Sequence, residues 1–165
     1  MNDIFEIRPY TIEDIADAVK LWNLIVEEGK AFPQEELLTE TSGNEFFAAQ
    51  TFTGIARDSS TGKIAGLYIL HPNNVGRCGH ICNASYAVTP EFRGRRVGEM
   101  LVRHCMTEAR KANFRLLQFN AVVASNTPAL NLYKKLGFTQ LGVIPEGFRN
   151  KSGIYEDIIP HYCRL

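Results

Sequence analysis

Residues 86–101 read YAVTPEFRGRRVGEML and contain the most informative change of pattern in the chain. A strand pattern ends at Pro90, a tight turn with Gly94 follows, and a helical pattern begins. The N–H groups at a helix start have no partner within the helix and carry partial positive charge, and glycine lets a ligand approach the backbone closely. Arg93, Arg95 and Arg96 add positive charge around this turn. The segment therefore predicts an anion-binding loop that suits a diphosphate.

A second segment, residues 124–138, reads ASNTPALNLYKKLGF. Asn126 or Thr127 is expected to cap a helix, and proline at position 128 suits its first turn. Ala129, Leu132, Tyr133 and Leu136 fall on one stripe of that helix, and Gly137 is expected to end it with a positive φ. Taken alone, the pattern is also compatible with an ordinary short helix whose tyrosine belongs to the core.

The two segments together resemble the GNAT acetyltransferase superfamily. Residues 144–157 look like the closing hairpin of its small-molecule and amino-acid-type members. The first segment is similar to the acyl-CoA-binding motif Arg/Gln-x-x-Gly-x-Gly/Ala, with Arg93 in the first place and Gly98 in the last. Arg96 replaces the middle glycine. The second is similar to the pattern Asn-x-x-Ala-x-x-x-Tyr-x-x-x-Gly-Phe, with every named position filled. The resemblance covers residues 80–142 without a gap.

This resemblance implies that acetyl-CoA is the cofactor. The amides of residues 94–99 would hold its diphosphate, and the end of the preceding strand would pair with the pantetheine amides and the acetyl carbonyl. The residues expected at the cofactor are Tyr86, Ala87, Val88, Arg93, Gly94, Arg95, Arg96, Val97, Gly98, Glu99, Asn126, Ala129 and Tyr133.

The resemblance also assigns Tyr133 a catalytic role, because a phenol close to the departing thiolate can protonate it. The N–H of Val88 would stabilise the oxyanion. Some members use a glutamate as the base just before the Asn motif, but Ala121 stands at that place here. Glu28 is the favoured substitute, ahead of Glu27, His80 and a water relay.

The expected activity is transfer of the acetyl group to a primary amine of an amino-acid-like or polyamine-like small molecule, directly within a ternary complex. Residues 27–33 and the final hairpin would line the acceptor pocket, with Phe32 and Tyr155 as apolar walls and Glu28 or Glu35 attracting the amine. The alternatives are a protein N-terminal or lysine acetyltransferase, an aminoglycoside acetyltransferase, transfer of another acyl group or to an alcohol, and a non-catalytic acyl-CoA sensor. A dinucleotide-binding domain is disfavoured, because the loop lacks Gly-x-Gly-x-x-Gly.

The local patterns predict one mixed α/β domain over residues 1–165, with a mostly antiparallel sheet of about seven strands, about four flanking helices, and a cleft where two central strands splay. The expected helices cover residues 11–28, 34–50 (interrupted near Ser42 and Gly43), 94–111 and 128–136. The expected strands cover residues 5–8, 52–57, 63–71, 80–88, 116–124, 138–143 and 155–164.

Composition narrows the function classes. Eighteen Lys and Arg balance eighteen Asp and Glu, which argues against a nucleic-acid partner. No apolar run is long enough to cross a bilayer, and the acidic start at residues 1–6 is unlike a signal peptide. We therefore expect a cytoplasmic monomer or homodimer. Cys78, His80 and Cys82 are expected on one face of a strand. Their spacing is not that of a zinc knuckle, so reduced core thiols and no metal are expected.

Overall fold

The computed structural model describes residues 5–165, so Met1 to Ile4 of the N-terminal segment lie outside the described residues. Four α-helices are present in this range: α1 (Ile15–Glu28), α2 (Glu40–Ala48), α3 (Val97–Lys111) and α4 (Thr127–Lys135). The strands are β1 (Phe5–Pro9), β2 (Phe52–Asp58), β3 (Ile64–Pro72), β4 (Ile81–Val88), β5 (Leu116–Val123), β6 (Thr139–Gln140), β7 (Ile144–Arg149) and β8 (Tyr155–Arg164).

All eight strands of the described chain belong to one sheet of order β1-β2-β3-β4-β5-β8-β6, and β7 pairs with β8. Among the strand pairs of residues 5–165, only β4–β5 is parallel, so the predicted mixed α/β fold with a mostly antiparallel sheet is confirmed. The sheet has one strand more than predicted. A strand is predicted over 138–143, but only Thr139 and Gln140 of this segment pair with β8. A separate strand, β7, follows.

The helices cover both faces of the sheet. On one face α1 packs Trp22 and Ile25 into a core with Ile55, Leu67 and Ala87. On the other face α3 packs Leu101 and Cys105 against Tyr68, Leu117 and Phe119, and apolar residues of α4 extend this second core. Helical stripes and strand alternation supply these apolar surfaces, as their spacing predicts.

The second predicted helix was wrong in its boundaries. Residues 34–39 are irregular, and α2 begins only after Thr39, whose hydroxyl accepts a hydrogen bond from the N–H of Ser42 at 3.1 Å. Ser42 and Gly43 lie inside the helix and do not interrupt it. A Cβ on Gly43 would come within 2.4 Å of Val19, so this glycine permits the close contact between α1 and α2.

The turn before α1 is held by a buried carboxylate. Asp14 is fully buried and accepts hydrogen bonds from Arg8 at 2.8 Å and from Arg57 at 2.6 Å, as well as from the N–H of Thr11 at 2.9 Å. The first helix is predicted to begin at residue 11. A 3-10 turn over Ile12–Asp14 precedes α1, which begins at Ile15.

The central strands β4 and β5 separate soon after they meet. They pair at Ile81 with Leu116 and at Cys82 with Leu117, and no further pair joins them in residues 5–165. On its other side β5 pairs with β8 along most of its length. The predicted splay of two central strands is therefore present, and it opens toward the carboxyl ends of β4 and β5.

The predicted strand face with Cys78 and His80 was wrong. A 3-10 turn contains Cys78, and β4 begins only at Ile81, so of the three residues only Cys82 lies in the strand. Within residues 5–165, no three His, Cys, Asp or Glu side chains gather as a metal site would require. All four cysteines are free, and Cys82 and Cys105 are buried. None of the described helices is both long and apolar enough to cross a membrane.

Candidate active site

The edge of β4 that faces the splay offers backbone hydrogen-bonding groups. Thr89 N–H donates to Ala65, and Asn73 N–H donates to the carbonyl of Ile81. Given the antiparallel register between β3 and β4, odd-numbered residues of β4 direct their N–H and C=O groups to β3, and even-numbered residues direct theirs toward β5. Tyr86 and Val88 therefore face the cleft with their backbone groups.

Ala87, the third β4 residue expected at the cofactor, differs from its neighbours. It lies opposite Leu67, so its N–H and C=O belong to the β3–β4 ladder. Its side chain is buried in the core under α1. Both its backbone and its side chain are thus turned away from the open edge of the strand.

The predicted anion loop forms a turn followed by a helix start. Gly94 has φ +80°, and α3 begins at Val97, three residues later than predicted. The first intrahelical bond runs from Met100 N–H to the Arg96 carbonyl at 3.1 Å. The N–H groups of Val97, Gly98 and Glu99 consequently precede the intrahelical ladder and remain at the positive end of the helix.

Arg96 occupies the position at which the resemblance leads us to expect glycine. Its φ and ψ of 65° and 11° are left-handed, a conformation that costs a non-glycine residue about 1–2 kcal/mol. The turn is therefore retained in spite of the substitution, and its side chain is exposed.

The other charged residues of the loop already have partners within the protein. The guanidinium of Arg95 lies 4.8 Å from the ring centre of Phe92 and 5.3 Å from that of Phe5. Glu99 accepts hydrogen bonds from Lys135 at 2.6 Å and from Arg103 at 2.9 Å. Arg93 donates to both carboxylate oxygens of Glu28, at 2.8 and 3.0 Å.

Gly98 marks the place where three elements meet. A Cβ built on this residue would lie 3.7 Å from Val88 of β4 and 3.8 Å from Leu132 of α4, which is ordinary contact distance. The start of α3, the end of β4 and α4, which carries Tyr133, therefore come together at Gly98.

The second motif forms as its sequence predicts. The side chain of Asn126 caps α4 by accepting from the N–H of Ala129 at 3.3 Å, and Pro128 lies in the first turn. Gly137 has φ +82° directly after the helix. These local interactions place Tyr133 on the face of α4 that packs against the core.

Tyr133 lies in an aromatic cluster beside the splay. Its ring centre is 4.5 Å from that of Phe119 on β5 and 5.3 Å from that of Phe138, and the Tyr86 ring contacts the other side of Phe119 at 5.9 Å. Burial raises the pKa of Tyr133 above its usual value of 10. The hydroxyl thus keeps its proton at physiological pH, and it has no hydrogen-bond partner within residues 5–165.

The candidate bases are separated by the structure. Glu28 lies at the end of α1 and is paired with Arg93, and it lines a small cleft together with Ser125 and Glu156. Glu27 is exposed on the neighbouring, larger cleft. His80 is exposed just before β4, at the closed end of the splay.

The larger cleft has a volume of about 590 Å³ and lies between α1, the loop after it and the β7–β8 hairpin, as predicted for the acceptor pocket. Phe32 lines it, but Tyr155 does not and is instead 60% exposed. Glu35 forms an ion pair with Arg149 at 2.7 Å across this cleft. The backbone of Lys151 bonds to Gly29 at 3.2 Å and joins the hairpin to α1.

Sequence reasoning missed several residues of this region. Phe148 and Arg149 line the larger cleft, and four side-chain amides, Asn73, Asn83, Gln118 and Asn120, form a connected group where β4 and β5 part. Strands are depleted in asparagine, so Asn83 and Asn120 inside two central strands were a signal that was available in the sequence.

Comparison with known proteins agrees with this geometry. Residues 18–138 match the sequence profile of the acetyltransferase (GNAT) family. The chain is 29% identical to the N-acetyltransferase aca1 of Schizosaccharomyces pombe, with 79% of this chain and 69% of that protein covered.

Solved structures show the same fold. A GCN5-related N-acetyltransferase from Kribbella flavida is 28% identical, with a TM-score of 0.89 and 98% of each chain covered. A phosphinothricin acetyltransferase from Sinorhizobium meliloti, solved in complex with acetyl-CoA, is 18% identical, with a TM-score of 0.89 over 100% of this chain and 89% of that one. Because the family profile spans most of its length, the chain belongs to the acetyltransferase (GNAT) family and is an acetyl-CoA-dependent N-acetyltransferase.

Proposed function

We propose that this enzyme transfers the acetyl group of acetyl-CoA to the primary amine of a small molecule, by direct attack within a ternary complex. The observation that carries this proposal is the convergence at Gly98, where the end of β4, the start of α3 and the Tyr133 helix come together. A binding loop, a strand edge and a proton donor would thereby be available to one ligand.

The residues of this region suit the parts of acetyl-CoA. The N–H groups of Val97, Gly98 and Glu99 would bind the diphosphate, helped by the charges of Arg93 and Arg96. The backbone groups of Tyr86 and Val88 would pair with the pantetheine amides, because they face an unpaired strand edge. Gly94, Arg95, Asn126 and Ala129 shape the two turns around this path, and Asn126 does so through its cap on α4.

Two groups of the chain would act at the reacting carbon. The N–H of Val88 faces the cleft and can donate to the oxyanion that forms when the amine attacks the thioester carbonyl. The Tyr133 hydroxyl, protonated in its buried setting, can give its proton to the departing thiolate. The carbon–nitrogen bond forms when the amine attacks, the carbon–sulfur bond breaks when the tetrahedral oxyanion collapses, and the amine proton leaves to a base or to solvent.

Direct transfer is favoured over an acetyl-cysteine intermediate. Burial raises the pKa of Cys82 and of Cys105 to about 12, so neither thiol forms a nucleophilic thiolate at physiological pH. The Cys82 thiol also has a partner within the protein, because it donates a hydrogen bond to the Leu116 carbonyl at 3.2 Å.

The acceptor would enter through the 590 Å³ cleft between α1 and the β7–β8 hairpin. A cleft of this size suits a small molecule. Glu27 and Glu28 near its border would attract an ammonium group and take up its proton directly or through water.

The proposal is tested by two measurements on the same preparation. A thermal melt with acetyl-CoA at about 100-fold above its dissociation constant should show a stabilisation of roughly 2.7 kcal/mol, or about 5–10 °C, with NADH and ATP as controls. Release of free CoA is then followed with primary amines and with matched alcohols. A melting shift without CoA release from any amine would identify a sensor and reject the enzyme mechanism proposed here.

A further inference from the structure

The four side-chain amides between β3, β4 and β5 form one hydrogen-bonded group, which we call the amide cluster. It consists of Asn73, Asn83, Gln118 and Asn120. Asn120 donates to Asn73 at 2.7 Å and accepts from it at 3.3 Å. Asn83 donates to Asn73 at 3.4 Å, and Gln118 donates to Asn120 at 3.1 Å.

Among residues 5–165, most of the hydrogen-bonding groups that remain without a partner in this cluster are N–H donors. A carboxamide has one oxygen and two N–H groups. The oxygens of Asn73 and Asn120 each accept twice inside the cluster, and the oxygen of Asn83 accepts from the N–H of Ala84 at 2.7 Å. Each of the four amides uses one N–H in these bonds and keeps a second. No carboxylate of residues 5–165 hydrogen-bonds to any of the four.

The cluster lies where the splay begins. Asn83 directly follows the last β4 residue that pairs with β5, and Gln118 directly follows the last β5 residue that pairs with β4. A β-bulge between Phe119 and Val122 then shifts the register of β5. Bulges often redirect side chains beside active sites, and this one contains Asn120.

The cluster and Tyr133 lie on opposite faces of the splayed strands. Phe119 points toward α4 and contacts the Tyr133 ring, so the preceding Gln118 points to the α1 face. Asn120 lies on the same side, because its oxygen accepts a hydrogen bond from Gln118. Ala121 on that face contacts the small core that contains Phe148, a residue that lines the acceptor cleft. The acceptor cleft and the cluster are thus on the face opposite the proton donor for the thiolate.

We propose that the acceptor carries a carboxylate beside its amine, and that the N–H groups of the amide cluster bind this carboxylate. This rests on the proposed function and narrows it to amino acids and their close analogues, rather than polyamines. Hydrogen bonds from N–H donors to an ionised oxygen are stronger than those to a neutral one, and the cluster offers several such donors beside the gap between the strands. The carboxylate would orient the acceptor so that its amine enters the gap from the α1 face.

The test compares three sets of acceptors that share their side chains: α-amino acids, their α-carboxamides and the decarboxylated amines. The value of kcat/KM is measured by CoA release. It is calculated from the concentration of unprotonated amine, because the carboxylate changes the pKa of the amine. Asn120→Asp replaces an N–H donor by a negative oxygen at nearly constant shape. Asn113→Asp, at the exposed end of α3, is the matched control for the added charge.

The expected result is a wild-type preference of about tenfold or more for amino acids over both analogues. Asn120→Asp should lower kcat/KM for amino acids by about tenfold or more and change the carboxamides less than about twofold, with the acetyl-CoA melting shift retained. Equal use of all three sets, or equal losses for all three in Asn120→Asp, overturns the carboxylate assignment but not the acetyltransferase. A preparation that binds acetyl-CoA and acetylates none of the sets rejects the proposed function itself.

Discussion

Glu28 and Arg93 form an ion pair that connects the acceptor side of the molecule to the cofactor loop. One nitrogen of Arg93, Nη2, lies 2.8 Å and 3.0 Å from the two carboxylate oxygens of Glu28. Glu28 is the favoured base and lies at the end of α1, whereas Arg93 is the first residue of the anion-binding motif. The diphosphate would therefore compete with Glu28 for Arg93, and the acceptor ammonium would compete with Arg93 for Glu28.

Glu28→Gln should have opposite effects on the two substrates. Loss of the carboxylate frees Arg93 for the diphosphate, and because the two side chains are 47% and 32% exposed, acetyl-CoA should bind only about two- to fivefold more tightly. The acceptor kcat/KM should fall, since the amine loses its anionic partner. Titration calorimetry and CoA release measure the two effects. Glu36→Gln, an exposed substitution on the following loop, is the control and should change neither.

Gly98→Ala should separate cofactor binding from folding. The added Cβ fits the protein, with its nearest neighbours at 3.7 and 3.8 Å, and alanine favours a helix over glycine by up to about 1 kcal/mol. The melting temperature without ligand should be equal or higher. The affinity for acetyl-CoA should change by less than about twofold, because the family motif accepts alanine at this place and the methyl group would contact Val88 and Leu132. A loss of affinity of about tenfold or more would contradict the placement of residue 98 in this motif.

Arg96→Gly should relieve the left-handed backbone at the start of α3. The free energy of unfolding should rise by up to about 1 kcal/mol, the left-handed cost less the larger entropy of an unfolded glycine. Arg96→Ala keeps that conformational cost while removing the same guanidinium, so it is the matched control. Denaturant melts of both variants measure the difference. Equal stability of the two would show that the turn does not strain residue 96.

Tyr133→Phe should lower kcat without weakening acetyl-CoA binding. We expect a decrease of about 10²-fold or more, because the thiolate then leaves without a proton donor. Stability should change little, since the hydroxyl has no protein hydrogen bond to lose. Because burial raises the pKa of Tyr133, the wild-type rate should not decline from tyrosine ionisation between pH 7 and 10. Tyr155→Phe, on a 60% exposed residue, is the control.

Asp14→Asn should destabilise the fold in a pH-dependent way. Burial on its own raises the pKa of Asp14, but hydrogen bonds from Arg8, Arg57 and Thr11 outweigh it and lower the pKa to about 2. The depressed pKa contributes about 2 kcal/mol above pH 4, and this contribution is lost as the pH falls from 4 toward 2. The variant should be less stable than the wild type at pH 7, and the difference should narrow near pH 2. A constant difference between the two pH values would contradict the buried ion-pair assignment.

The parts of the site that depend on neighbours along the chain follow from the amino-acid sequence alone. Interactions within a few residues produce the cap of α4 by Asn126, the positive φ of Gly137 and the turn at Gly94. The two motifs could therefore be predicted from the sequence. Alternation and helical stripes likewise predicted the mixed sheet and its covering helices. The boundaries of α2 and of the short β6 could not be predicted from the sequence. Those of α2 depend on its packing against α1, and those of β6 depend on its pairing with β8.

Contacts between residues that are distant in sequence depend on the tertiary structure. Glu28 and Arg93 are 65 residues apart, Asn73 and Asn120 are 47 apart, and Glu35 and Arg149 are 114 apart. Such pairs form because strand register and helix packing bring the segments together, and no local propensity specifies them. The family, the cofactor loop and the proton donor could therefore be predicted from residues in sequence order. The coupling between the two substrate sides and the recognition of the acceptor depend on contacts that exist only after the sheet has assembled.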